Sequence, residues 1–143
     1  MANFRWNKDL ELAIPAIDGE HRELLAAMER LQSLVQAGAP PMPVRTALLQ
    51  LVRLTRAHFA SEEAFMAARR FPRAAEHAQI HQGLLARLDG FVAGHAAGTQ
   101  ALGVPFFAFL EFWIASHIRG VDRLYAEHTP APSPPAASAP RRA

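Results

Sequence analysis

Three clusters of helix-breaking residues, at 38–43, 71–72 and 98–103, divide the first 128 residues into four long segments. No other feature of the chain constrains its fold so strongly. The first segment runs from Asp18, a residue type suited to an N-cap, to about residue 37, with Leu24, Met28, Leu31 and Val35 at helical spacing. The second starts near Pro43, where proline suits a first turn, and carries Leu48, Leu51, Val52, Thr55, Phe59, Glu62 and Met66 on or near one stripe. The third runs from about 73 to 97, with Ile80, Leu84, Leu88 and Phe91 apolar. The fourth starts near Val104 and Pro105 and continues through Phe109, Phe112, Trp113 and Leu124 to about 127. Nothing reads as a strand. Four helices joined by short loops predict an all-α fold, an antiparallel up-down-up-down four-helix bundle spanning residues 1–128. The first 17 residues hold Phe4, Trp6, Leu10, Leu12 and Ile14 without a period and are expected to lie across the bundle as an ordered arm.

Residues 129–143 contain five prolines and are expected to form a disordered Pro/Ala-rich tail. They also carry Arg141 and Arg142 and no acid. The whole chain has 15 basic and 13 acidic residues, so without the tail there are 13 of each. A formally neutral domain argues against a nucleic-acid groove. No apolar run approaches the roughly 20 residues needed to span a bilayer, and the first residues lack the apolar core of a secretory signal. A cytoplasmic protein without a membrane span is expected. No helix shows a clear second apolar face, so a monomer is expected. The absence of cysteine excludes disulfides, thiolate zinc sites, iron–sulfur clusters and cysteine nucleophiles.

Seven histidines remain to be explained. His21 falls in the first turn of the first helix, His58 and Glu62 in the second, His77 and His81 in the third, and His117 and Asp122 in the fourth. His95 and His128 lie at helix ends, and no function is assigned to them. Residues four apart on a helix return to within about 40° of one face, so His58 can converge with Glu62 and His77 with His81. Both pairs share the apolar stripe of their helices. A lone histidine there is ordinarily a satisfied core residue, and a His–Glu pair is ordinarily a surface pair. Here all four helices contribute, and an uncompensated buried cluster of this kind is expensive. Nitrogen and oxygen donors without sulfur suit iron, manganese or zinc. Seven ligands are too many for one tetrahedral ion and suit two adjacent ones. His117 and Asp122 fit least well. Five residues apart, they lie about 140° apart on an ideal helix. They meet only if Asp122 reaches around to bridge both ions or if the helix is locally irregular.

The N-terminal arm with Trp6, then IDGEH at 17–21, HFASEE at 58–63 followed by Met66, HAQIH at 77–81 and WIASHIRGVD at 113–122 resemble, in order, the motifs of the bacterial hemerythrins. The resemblance covers about residues 4–127. It implies a non-haem diiron centre, with two iron ions and an oxo or hydroxo group as one bridge. One iron would take His77, His81 and His117. The other would take His21 and His58 and keep an open position for dioxygen. Glu62 and Asp122 would bridge. Leu24, Phe59, Trp113, Ile114 and Ile118 lie within a turn of these residues and are expected to wall the oxygen pocket. The chain departs from the family at Glu20, where glutamine is frequent, and at Gly83, which costs roughly 1 kcal/mol relative to alanine inside a helix.

The expected function is therefore reversible dioxygen binding, for storage, delivery or sensing, rather than enzymatic turnover. Dioxygen is the expected ligand, and an oxygen-consuming enzyme is a candidate partner. The alternatives are a diiron enzyme using the same site, such as a peroxidase, a nitric-oxide-handling or an iron-oxidising protein, and a metal-free helical interaction module.

Overall fold

The computed structural model describes residues 1–128, and the expected tail at 129–143 lies outside the described residues. A 3-10 turn, Lys8–Leu10, sits in the arm. The bundle consists of α1 (Pro15–Gln36), α2 (Pro41–Ala68), α3 (Ala74–Ala96) and a last arm made of α4 (Val104–Ser116), a π-helical turn (His117–Asp122) and α5 (Arg123–Ala126). Among the described residues there is no strand, and no helix is long and apolar enough to cross a membrane.

Two helices start earlier than the sequence suggests, for one physical reason. Proline lacks an N–H and has its φ preset for a helix, so it takes the first helical position. Pro15 opens α1 and Pro41 opens α2. Asp18 is therefore not the N-cap of α1, a place held by Ile14. Asp18 is instead buried, and its Oδ1 accepts the Leu12 N–H at 2.9 Å, fastening the arm to the bundle. Gln32 fixes the arm's beginning by exchanging two hydrogen bonds with the backbone of Ala2, at 3.1 and 3.0 Å. Phe4, Leu10 and Leu12 are buried beneath it, and the Arg22 guanidinium lies 4.2 Å over the Trp6 ring.

Helix α1 packs along α2, α2 along α3, and α1 against α4. The Phe91 ring of α3 closes the circuit against Phe106 and Phe109 of α4, with centroids 5.1 and 5.6 Å apart. The antiparallel layout gives the core two halves. One is apolar, with Met28, Leu31, Leu51, Phe106 and Leu110 fully enclosed. The other, built from the start of α1, the end of α2, the start of α3 and the π-helical turn, is polar.

Three apolar residues of the helical segments are at the surface: Ile80 at 38% exposure, Phe112 at 66% and Leu124 at 44%. The stripe of α3 is centred on His77, His81 and Leu88, which turns Ile80 outward. Phe106, Phe109, Leu110 and Trp113 occupy the inner face of α4 and leave Phe112 on the outer one. Tyr125 takes the inward position of α5 and turns Leu124 to solvent.

Candidate metal centre

His21, His58, Glu62, His77, His81, His117 and Asp122 are all buried, and the structure brings all seven together in the polar half of the core. Their inward atoms form two groups that share both carboxylates. Glu62, His77, His81, His117 and Asp122 make one group; His21, His58, Glu62 and Asp122 make the other. His95 and His128 stay outside both.

Each carboxylate divides its oxygens between the groups. Glu62 Oε1 faces His81 Nε2 at 3.0 Å, while its Oε2 faces His58 Nε2 at 3.2 Å and His21 Nε2 at 3.3 Å. Asp122 Oδ1 faces His117 Nε2 at 2.9 Å and His77 Nε2 at 3.0 Å, while its Oδ2 faces His21 Nε2 at 3.2 Å.

Asp122 reaches this place because the segment from His117 is π-helical. Hydrogen bonding from i to i+5 widens the turn, so residues five apart share a face. This local irregularity removes the misfit between His117 and Asp122 that a regular helix would impose.

The donor set fits cations. His58 Nδ1 lies 2.7 Å from Glu20 Oε1, and His81 Nδ1 lies 2.8 Å from Glu63 Oε2. A carboxylate only accepts, so these Nδ1 atoms donate outward and each ring turns its Nε2 toward the centre. His77 Nε2 and His117 Nε2 point at each other across 3.1 Å. Glu62 Oε1, both Asp122 oxygens and His81 Nε2 are buried without a hydrogen-bond partner among the described residues. A convergence of acceptors only is costly unless a proton or a metal ion lies between them.

In the absence of metal, protons serve. Burial pushes the His21 pKa down, but the hydrogen bonds and charges of Asp122 and Glu62 outweigh it and raise the group to about 9. Burial likewise opposes charge on Glu62, yet the facing imidazoles of His21, His58 and His81 hold its carboxyl well below the usual range. Burial and the neighbouring Glu62 charge push Asp122 up, while His117, His21 and His77 bring it down overall. Five imidazoles around two anions form a set in which a divalent cation replaces protons directly.

The expected pocket residues are all buried: Leu24, Phe59, Trp113, Ile114 and Ile118. Phe59 stacks flat on the His81 ring, centroids 3.8 Å apart, with the Trp113 ring edge-on to it at 5.6 Å. Leu24 lines a cleft of about 90 Å³ that His58 borders, together with Glu20, Glu23, Leu54 and Ala57.

Three contacts at the site escaped the sequence reading. The Tyr125 hydroxyl donates to Glu62 Oε2 at 2.7 Å from a fully enclosed position. Glu20 and Glu63 hold the outer nitrogens of His58 and His81. Tyr125 is the chain's single tyrosine, three residues beyond Asp122, and that is the one signal that could have found it. Glu20 and Glu63 each adjoin a member of the cluster but look like ordinary solvent-facing acids.

Comparison with known proteins gives the family. The family described as Hemerythrin HHE cation binding domain matches residues 12–128. A bacteriohemerythrin of Stenotrophomonas maltophilia is 29% identical over 131 residues, covering 92% of this chain and 84% of that protein. A bacteriohemerythrin of Pseudomonas aeruginosa is 30% identical over 129 residues, covering 89% and 82%. A myohemerythrin of Riftia pachyptila is 29% identical over 120 residues, covering 84% and 88%. The four motifs, the shared carboxylates and this match over most of the chain lead to one conclusion: the chain belongs to the hemerythrin family.

Proposed function

We propose that residues 1–128 form one domain that holds two iron ions and binds dioxygen reversibly. His77, His81 and His117 would hold one ion and His21 and His58 the other, with Glu62 and Asp122 shared between them. The observation that carries this reading is the division of both carboxylates between two unequal imidazole groups, three on one side and two on the other. The smaller group is one protein ligand short, which leaves room there for a small molecule. Two ferrous ions would supply the two electrons that a reversibly bound dioxygen takes up and returns.

Phe59, Trp113, Ile114 and Ile118 are buried, with Phe59 flat on the His81 ring and Trp113 edge-on to Phe59, while Leu24 lines the cleft beside His58. Imidazoles outnumber carboxylates five to two, which keeps the site less anionic than a carboxylate-rich one. The Tyr125 hydroxyl donates to Glu62 Oε2 at 2.7 Å. Burial and the charges of Glu62 and Asp122 push its pKa far up. These features favour binding over turnover. Storage, sensing and delivery to an oxygen-consuming enzyme all draw on this same step.

The test is anaerobic loading with ferrous ion, followed by cycles of oxygen and inert gas under an absorption spectrometer. A visible band that appears with oxygen and disappears on its removal is the expected result. Irreversible oxidation in the first cycle, or turnover of an added peroxidase substrate, would contradict the reading and favour a diiron enzyme.

A further inference from the structure

We infer that Glu20 is the positioning residue of the two-imidazole side of the centre, and that its charge tunes the ion held there toward the higher oxidation state. The inference rests on the ligand assignment proposed above. Glu20 Oε1 accepts the His58 Nδ1–H at 2.7 Å, and its Oε2 accepts the Ser61 hydroxyl at 2.9 Å. His58 and Ser61 lie one turn apart on α2, so a carboxylate from α1 is clamped across the gap between the two helices at both of its oxygens. The Glu20 side chain is 31% exposed, and the two bonds order it despite that exposure.

The neighbouring residue, His21, supplies the other imidazole of this group. Its Nδ1 is buried without a hydrogen-bond partner among the described residues. Glu20 thus provides the outer hydrogen bond on this side, as Glu63 does through His81 on the other. One turn of α1 delivers both an imidazole and the group that aims the second imidazole from α2.

An outer acceptor fixes the ring's tautomer and orientation, and its removal typically weakens metal binding 10–100-fold. A charged acceptor does more than a neutral one. It strengthens the hydrogen bond and raises the electron density of the ring. A more basic ligand favours the ferric over the ferrous state.

The experiment titrates the metal-free protein with ferrous ion anaerobically against a competing chelator, in the wild type and in Glu20→Ala, Glu20→Gln and Glu63→Gln. His58→Ala identifies which binding step belongs to that side, and circular dichroism checks that each metal-free variant keeps its helices. Glu20→Ala is expected to weaken that step about 10–100-fold and leave the other unchanged. Glu20→Gln, still an acceptor, is expected to recover most of the affinity but to raise the reduction potential of that ion. Glu63→Gln is expected to act on the other step. In the metal-free protein, the low-field proton resonance of His58 Nδ1–H should vanish in Glu20→Ala.

Wild-type affinity and potential in both Glu20 variants, or equal weakening of both steps, would overturn the role of Glu20 while leaving the ligand assignment intact. A wild-type chain that binds fewer than two ions would overturn the assignment itself.

Discussion

His117 Nε2 and Asp122 Oδ1 meet at 2.9 Å although five residues separate them, because the backbone between them is π-helical. This contact completes the larger imidazole group and lets the other Asp122 oxygen turn toward His21. A two-ion centre with unequal sides follows, and the sides should fail separately. Replacing His58 with alanine is expected to remove one ion and spare the other, and His117→Ala is expected to do the reverse. Metal analysis after gel filtration should give about one ion per chain in each variant. Two ions retained in both variants would contradict the division.

The metal-free protein should show a pH dependence of known sign. His21 has a pKa raised from 6.5 to about 9, so its contribution to stability is complete below 6.5 and is lost as pH rises through about 9. Glu62 and Asp122 have pKa values lowered from 4.5 and 3.8, so theirs are present above those values and lost as pH falls through the lowered ones. The melting temperature of the metal-free chain should therefore peak in mildly acidic solution and decline toward pH 9. Metal competes with protons for the same lone pairs, so the extra stability on loading should grow with pH. Thermal melts with and without ferrous ion across this range check both slopes.

Tyr125 offers a test of the shell behind the carboxylates. Phenylalanine there keeps the ring packing against Phe65 and Phe71 but removes the donor to Glu62 Oε2. A hydrogen bond to a charged group contributes about 1.5–3 kcal/mol. Tyr125→Phe should lose that amount in urea unfolding of the metal-free protein, with m unchanged. A loss below about 0.5 kcal/mol would show that the bond matters little to the fold.

Gly83, two residues beyond His81, is a departure from good helix-forming sequence without a packing cause. A Cβ built there meets nothing within 4 Å. Gly83→Ala should therefore stabilise α3 by up to about 1 kcal/mol and leave metal content unchanged. Destabilisation, or a loss of metal, would mean that the glycine serves the site.

Much of this centre was legible in the sequence. The helical stripes and the i, i+4 pairs His58–Glu62 and His77–His81 follow directly from 3.6-residue periodicity. The π-helical turn was legible only as a misfit, one of whose two remedies was a locally irregular helix. Spacing by five reads as opposite faces until the backbone is known, and nothing in IRGV announces the wider turn. The early starts at Pro15 and Pro41 were missed because Asp18 and Pro43 are equally good start signals a few residues later. The exposure of Ile80, Phe112 and Leu124 was not legible either, because hydrophobicity alone does not say which side of a helix a polar cluster will claim. Glu20, Glu63 and Tyr125 act across helices, through contacts such as Glu20 to His58, 38 residues away, which a scan along one helix does not reveal.

The central claim is that Glu62 and Asp122 are shared by two iron ions. The most direct measurement is the iron content of the anaerobically reconstituted chain, combined with the magnetism of its oxidised form. Two irons per chain, coupled through common bridges so that no isolated ferric resonance appears, is the predicted result. One iron per chain, or two that give the resonance of independent ferric ions, would contradict it.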